Sequence, residues 1–440
     1  MTEISGWGRY PRIAGRLLSP RSAESLGDAL SEGPVIARGL GRAYGDAALG
    51  ARVVETRHLD RFIAFDPDSG SLTAEAGVSL AQIIDAFLPR GWFPAVTPGT
   101  RFVTLGGAIA ADVHGKNHHR DGSFGAFVDS FDLMGPDGTV RNCSRTENTE
   151  LFHWTLGGMG LTGVILRATI RLRRVQSGWI RQTTIPAPSL AHALAAFEGN
   201  MDATYSVAWI DALATGRAMG RSLVMLGEHA SPAQLPPPLR PRPFETPDPR
   251  PRRFPFDLPG FALNPLSVGA FNALYWRLGQ RKAGTQLVPW RPYFYPLDAV
   301  ADWNRLYGRR GFVQFQCALP LAASEPGLTA LLKKISASGT GSFLAVLKRF
   351  GAQDSRLSFP TEGYTLALDF PANRRALALL PVLDRITADH GGRFYLAKDA
   401  RMSAETLLRT DPRFADFTRF RTETGLSRAF VSAQSERLGI

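Results

Sequence analysis

The stretch from Thr97 to Phe127, TPGTRFVTLGGAIAADVHGKNHHRDGSFGAF, constrains the fold more than any other part of the chain. Thr97-Pro98-Gly99-Thr100 reads as a tight turn, and Gly106-Gly107 removes two side chains in succession where backbone N–H groups could reach an anionic diphosphate. Ala108, Ala110 and Ala111 keep the next turn of chain thin. A run of residues this small gives up core volume, which makes sense if something flat and large lies against it. Directly after it come His114, Lys116, Asn117, His118 and His119, so donors and titratable groups arrive beside the thin wall. A flat anionic cofactor such as a flavin dinucleotide suits that combination.

Two plainer readings stand beside this one. Gly-Gly-Ala runs also occur where helices pack closely, and loop histidines are often merely solvated. A metal site is disfavoured, because HGKNHH has no Asp, Glu or Cys at a spacing typical of zinc and adjacent histidines point different ways. The formal charge of +12, from 51 Lys+Arg against 39 Asp+Glu, favours anionic partners such as phosphorylated substrates or acidic membrane surfaces. Its arginines are spread along the chain and no RNA-binding or zinc-finger motif is present, so nucleic acid is not expected as a partner. Cys143 and Cys317 are far apart, which argues against a disulfide framework and for a reduced compartment. The start, MTEISGWGRYPR, lacks the pattern of a secretory signal, and no run of about 18 apolar residues could span a bilayer. The expected location is cytoplasmic, with peripheral contact at the inner face of the membrane left open.

Taken in order, residues 19–32 alternate as a short amphipathic helix and Pro34 to Ala37 read as a buried strand running into RGLGRAYGD, Arg38 to Asp46. The glycine spacing there is G-x-G-x-x-x-G with no helix after it, so a Rossmann fingerprint is doubtful. A diphosphate cradle of loop backbone, with Arg38 or Arg42 adding charge, survives that objection. Short β-like segments follow, and Ser79 or Leu80 starts a helix whose apolar face holds Leu80, Ile83, Ile84, Phe87 and Leu88. Val128 to Leu133 and Thr139 to Arg141 bracket Pro136-Asp137-Gly138 as a hairpin. A third small-residue segment, GGMGLTGVI, leads into a strand from Leu166 to Leu172.

RGLGRAYGD, TPGTRFVTLGGAIAADVHGKNHH and GGMGLTGVI, in that order, resemble the FAD-binding domain of the vanillyl-alcohol oxidase superfamily. YSVAWIDA, FYPLDAVADWNRLYGRRGFVQFQ and GGRFYLAKDARM extend the likeness nearly end to end, toward the branch that oxidises polyprenylphosphoryl ribose. The resemblance implies an α+β, two-domain fold: an FAD-binding domain over residues 1–178, a substrate domain on an antiparallel sheet over 179–392, and a return to the FAD domain over 393–440. It also implies that Arg38, Gly39, Leu40, Gly41, Arg42, Tyr44, Gly45, Asp46, Gly99, Thr104, Leu105, Gly106, Gly107, Ala111, Asp112, Val113, His114, Ile165 and Tyr395 form the cofactor cradle. Many relatives attach FAD through a histidine in the first glycine-rich segment, which has none here, so FAD is expected to be non-covalent.

By the same resemblance Lys398 is the active-site lysine. An ammonium near the N1/C2 edge of a flavin would stabilise the charge that develops as hydride reaches N5. His114 and Lys398 are the candidates for the proton-transferring group. Lys116, Trp209, Gln316, Lys348, Tyr395 and Lys398 are the expected substrate contacts. Gln314 and Gln316 alternate on one strand face, where they either meet a sugar or face solvent. The implied reaction is FAD-dependent oxidation of the 2′-hydroxyl of a polyprenylphosphoryl-β-D-ribose to the 2′-keto sugar. That is the first half of an epimerisation to the arabinose donor for cell-wall or glycan synthesis. It would need an NAD(P)H-dependent short-chain reductase as partner and quinone or oxygen as acceptor. The alternatives are an oxygen-using oxidase of a soluble sugar, alditol or aldonolactone, and a flavin-binding protein without turnover. The Pro/Arg-rich run from Ser231 to Phe261 reads as an extended, mobile excursion. With Phe271, Leu274, Tyr275 and Trp276, it either touches an anionic membrane or lipid tail or is a loop of no consequence.

Overall fold

The computed structural model of the protein describes residues 1–248, 251–259, 263–342 and 344–440. Three sheets carry the fold. The N-terminal one orders Thr2–Ser5, Arg12–Leu18, Arg52–Glu55 and Ile36–Arg38. A second is built on the long strand Val164–Arg174, flanked by Ser71–Glu75 and Val128–Met134, with Phe62–Phe65 and Val140–Ser144 at its edges and Trp92–Pro94 also pairing to the long strand. The anticipated helices form where caps start them. Ala23–Ser31 begins after Ser22, and Leu80–Phe87 after Ser79, whose side chain and Gln82 make a capping box.

The third sheet is antiparallel, in the order Gly284–Pro289, Trp179–Ala187, Ser222–His229, Tyr205–Ile210, Ala345–Phe350, Gly363–Pro371, Phe312–Pro320 and Arg393–Phe394. Its strands alternate strictly. Val313, Phe315, Cys317 and Leu319 join Tyr364, Leu366, Leu368 and Phe370 in a core under the helices Leu190–Glu198, Leu321–Ser338 and Arg374–Asp389. Because side chains on a strand alternate faces, the intervening residues must point the other way, toward the first two sheets.

The C-terminal helices pack back on the N-terminal sheet. Phe430 bridges Val35, and buried Arg421 donates to the carbonyls of Leu161 and Phe430. The Pro/Arg-rich segment departs from expectation. Among its described residues are two short 3-10 turns, Pro232–Gln234 and Pro237–Leu239, and a two-residue strand, Arg252–Arg253, paired in parallel with Val300–Ala301. Leu235 is buried, Trp179 donates its indole N–H to the Glu245 carbonyl, and Arg9 pairs with Asp257 at 2.6 Å. Proline prevented a long element but not attachment to the body of the protein; residues 249, 250, 260 and 261 lie outside the described part.

Candidate active site

One cavity of about 850 Å³ runs between the first two sheets and the third, large for a cofactor cleft by the usual 300–1,000 Å³. Its floor is the free face of the third sheet. Val207 and Trp209, Val346 and Lys348, Ala367 and Asp369, and Gln314 and Gln316 are alternate residues of four adjacent strands, and all line it. The opposite wall is thin: Gly39, Gly41, Gly99, Gly106, Gly107, Gly160 and Gly163, with Ala76, Ala110 and Ala111. Gly41 has φ +62°, the left-handed region that glycine enters without strain. Among the described residues, the N–H groups of Leu40, Gly41, Arg42 and Ala43 donate to no backbone carbonyl, and the Arg42 guanidinium lies 4.0 Å over the Trp7 ring. This loop can therefore meet an anion with backbone donors and a cation.

The floor is electrostatically unusual. The chain holds only six lysines among its 51 basic residues, and three of them, Lys116, Lys348 and Lys398, line this cavity. All three are half-buried and their remaining surface opens onto the cavity. Removal from water lowers the Lys116 ammonium to about 7, with Lys348 adding repulsion, and Lys348 itself to about 8. Lys398 sits 3.4 Å from the Tyr44 ring centroid; burial lowers it and the nearby Asp369 carboxylate opposes that shift. Asp369 is buried, accepts a hydrogen bond from the Gln314 amide, and is raised by the same desolvation. His114 is buried with Nε2 3.1 Å from Gln316 Nε2 and Nδ1 3.2 Å from Lys348 Nζ. Burial, then Lys348, holds it well below the usual histidine range, so its imidazole is neutral. Cations of low affinity for protons, facing a thin wall, form a site for an anionic ligand and proton movement.

A family model described as an FAD binding domain matches residues 17–144. Decaprenylphosphoryl-beta-D-ribose oxidase of Mycolicibacterium smegmatis is 36% identical over 99% of this chain and 97% of its own length. The chain belongs to the decaprenylphosphoryl-β-D-ribose oxidase family. L-gulonolactone oxidase of Bos taurus is 28% identical over 29% of each chain, and cytokinin dehydrogenase 5 of Arabidopsis thaliana 33% identical over 34% of this chain and 29% of its own. Like its family, the protein is an FAD-dependent oxidoreductase with a vanillyl-alcohol-oxidase-like fold. The residues present fit the cofactor: a bare glycine wall, a loop with free backbone donors, and a lysine-bearing floor border one continuous space.

Several residues expected at the cofactor sit instead behind the wall. Arg38 donates to the Ser5 carbonyl at 2.8 Å and to that of Ala48, and lies where a Cβ on Gly41 would fall, so it props the loop from below. Gly45 packs against the backbone of Asp399, and Asp46 is held by Arg437 at 2.8 Å. Leu105 is core. Asp112, at φ +36°, accepts from Gly125 N–H and from the Ser358 and Gln353 side chains; burial raises its carboxyl. Gly106 and Gly107 do not offer their N–H groups to a diphosphate. They lie in the helix Leu105–Ala110, where Gly106 N–H goes to the Ala76 carbonyl at 2.8 Å and Gly107 N–H to the Thr104 hydroxyl at 3.2 Å. A Cβ on Gly106 would come 2.9 Å from that of Ala76, so close packing explains this glycine, while Gly107 presents bare backbone to the cavity.

Gly39, Leu40, Gly41, Arg42, Tyr44, Gly99, Thr104, Ala111, Val113, His114, Ile165 and Tyr395 line the cavity, as do Lys116, Trp209, Gln316, Lys348 and Lys398. Lys398 ends a 3-10 turn, Leu396–Lys398, rather than a strand. His118 is not solvated: it is buried, 2.7 Å from Gln353 Oε1, and burial lowers it to about 4. His119 meets the Ala203 carbonyl. Trp276 is buried against Trp209 and Leu223 instead of facing outward. Sequence reasoning missed Asp369, an acid at an alternate position in the otherwise apolar run LALDF; the period-2 pattern that marked Gln314 and Gln316 also marks it.

Proposed function

We propose that the protein oxidises the 2′-hydroxyl of a polyprenylphosphoryl-β-D-ribose to the 2′-keto sugar, using non-covalently bound FAD. The observation that carries this reading is the single cavity in which a glycine wall faces a floor of Lys116, Lys348, Lys398, Gln314 and Gln316. When bound, FAD supplies the two-electron oxidising power. Lys398, held over the Tyr44 ring on the cavity floor, would supply positive charge to balance the negative charge that reduction builds. Lys116 and Lys348 supply the charge that binds a phosphate, Gln316 and Gln314 the amides that orient sugar hydroxyls, and Trp209 and Tyr275 the apolar side for the prenyl chain. His114 is the sole histidine on the cavity wall among the described residues and both its ring nitrogens have partners, in keeping with unattached FAD. An anaerobic titration with a prenylphosphoryl ribose, beside free ribose and an alditol, tests the reading. Bleaching of the flavin band by the lipid phosphate alone is expected; bleaching by the free sugars would replace it with a soluble-sugar oxidase.

The reading extends to partners. Ketone should accumulate until an NAD(P)H-dependent short-chain reductase is added, which should then return the inverted alcohol. Among the described residues no helix is long and apolar enough to cross a membrane. The helix Pro265–Arg281 packs Val268, Asn272 and Trp276 on the sheet, yet exposes Leu266 (84%), Leu274 (58%) and Leu278 (43%) beside Arg277 and Arg281. Tyr275 on the same helix lines the cavity, so this face borders the entrance. Apolar residues outward with arginines beside them suit an anionic bilayer that delivers the lipid. L274E/L278E should stop co-sedimentation with anionic vesicles, and unchanged binding would remove the membrane contact.

A further inference from the structure

We propose that Asp369 is the group that takes the proton from the substrate hydroxyl, with Lys398 as its counter-ion. This rests on the alcohol-oxidation reading above and names its base. Among the described residues three carboxylates line the cavity. Asp298 accepts the backbone N–H of Arg101 at 3.0 Å, and Asp302 is paired with Arg253 at 2.9 Å. Asp369 makes no ion pair among the described residues; its polar partner is the Gln314 amide, across the strand pair from it. It is 2% exposed, on the floor opposite Gln314 and within electrostatic reach of Lys398.

The other candidates are committed elsewhere. Both ring nitrogens of His114 face side-chain nitrogens, those of Gln316 and Lys348. Lys398 sits over the Tyr44 ring, and acting as a base would discard the positive charge that the reduced cofactor would need. A carboxylate has no such conflict. As the hydroxyl O–H breaks, its proton goes to Asp369 and C=O forms; bound FAD would supply the two-electron acceptor for the hydride that the carbinol C–H gives up, so the sugar loses two electrons with the hydride and one proton to Asp369. Gln314 can hold Asp369 in place in either protonation state, and the carboxylic acid then rests beside the Lys398 ammonium until the proton leaves.

The groups facing Asp369 set its titration. Desolvation raises it, the Gln314 amide and then Lys398 lower it, and the Tyr44 and Tyr307 hydroxyls lie within electrostatic reach, while Lys348 acts on Lys398. Desolvation outweighs these and raises the carboxyl, which matches a base operating near neutral pH.

The test uses the FAD-loaded protein. Asp369→Asn should keep its FAD and lose about 10²–10⁴-fold in the rate of anaerobic flavin reduction. It should also lose the limb over which the wild-type rate rises with pH, because the base must be ionised. Asp369→Ala should recover rate with added formate, and Asp369→Glu in part without it, which a merely structural role would not do. Infrared difference spectra should show a carboxylic-acid band on reduction by substrate, absent in Asp369→Asn. An Asn variant that reduces at the wild-type rate with an unchanged pH profile overturns the proposal. If the wild-type flavin is not reduced by the lipid sugar, the substrate reading fails. The infrared pH titration without sugar then decides the base: a band lost in Asp369→Asn and titrating well above about 4 supports it. A carboxyl titrating in the ordinary range overturns it.

Discussion

Replacing Lys348 by methionine should stabilise the flavin-free protein while disabling it. Burial lowers this ammonium from 10.5 to about 8, so at neutral pH the folded state holds a charge that the unfolded chain carries more easily. The difference of 2.5, at 1.36 kcal/mol for each, is a cost of about 3 kcal/mol. Methionine keeps the stem and removes the charge, but it also removes the 3.2 Å contact of a charged donor with His114, worth about 2 kcal/mol. A net gain of about 1 kcal/mol is expected from urea denaturation at pH 7. The sign with pH follows from the lowered value. The cost is full below about 8, where both states are protonated, and it fades toward 10.5 as the unfolded chain deprotonates too. The advantage of Lys348→Met should therefore shrink between those limits, and above them the lost hydrogen bond should leave the variant slightly weaker. Substrate-driven flavin reduction should fall at the same time. A variant no more stable than wild type at pH 7, or an advantage that grows with pH, would refute the desolvation argument.

Lys398→Met should retain FAD yet lower the rate of flavin reduction about 10²–10³-fold by anaerobic stopped flow, the usual cost of removing one preorganised charge. Arg437→Met should cost about 3–5 kcal/mol in denaturation and weaken FAD retention. It strands Asp46 and Asp399, both buried and both 2.8 Å from that guanidinium, behind the glycine loop. Heat denaturation and centrifugation should leave the yellow colour in the supernatant; colour in the pellet would indicate a covalent flavin.

Much of the cavity's thin wall was legible in the chain because small residues signal close approach whatever they approach. What they approach was not. Gly106 suits either a phosphate donor or a close packing, and here it is the space where a helix meets Ala76; His118, which a polar loop leaves solvated or engaged, is buried against Gln353. Glycine spacing reports missing side chains, while the partner of a backbone N–H depends on which segment folding brings up beside it. The Pro/Arg-rich segment failed for a similar reason. Proline forbids long ladders, yet single contacts such as Arg9 with Asp257 need no ladder.

By itself the sequence determined the alternation that separates a core face from a free face: Val313, Phe315 and Cys317 under helices, Gln314 and Gln316 away from them. Period-2 geometry makes that a local property of the strand. The tertiary structure decided that four such strands lie side by side, so that Trp209, Lys348, Asp369 and Gln316 share one floor although as many as 160 positions separate them. Strand order is a long-range choice, made by the helices that cover the back of the sheet and the C-terminal segment that brings Lys398 to Tyr44. Proton affinities followed from it. A lysine becomes a weak cation only when folding takes away its water, and nothing in its neighbours along the chain records that loss.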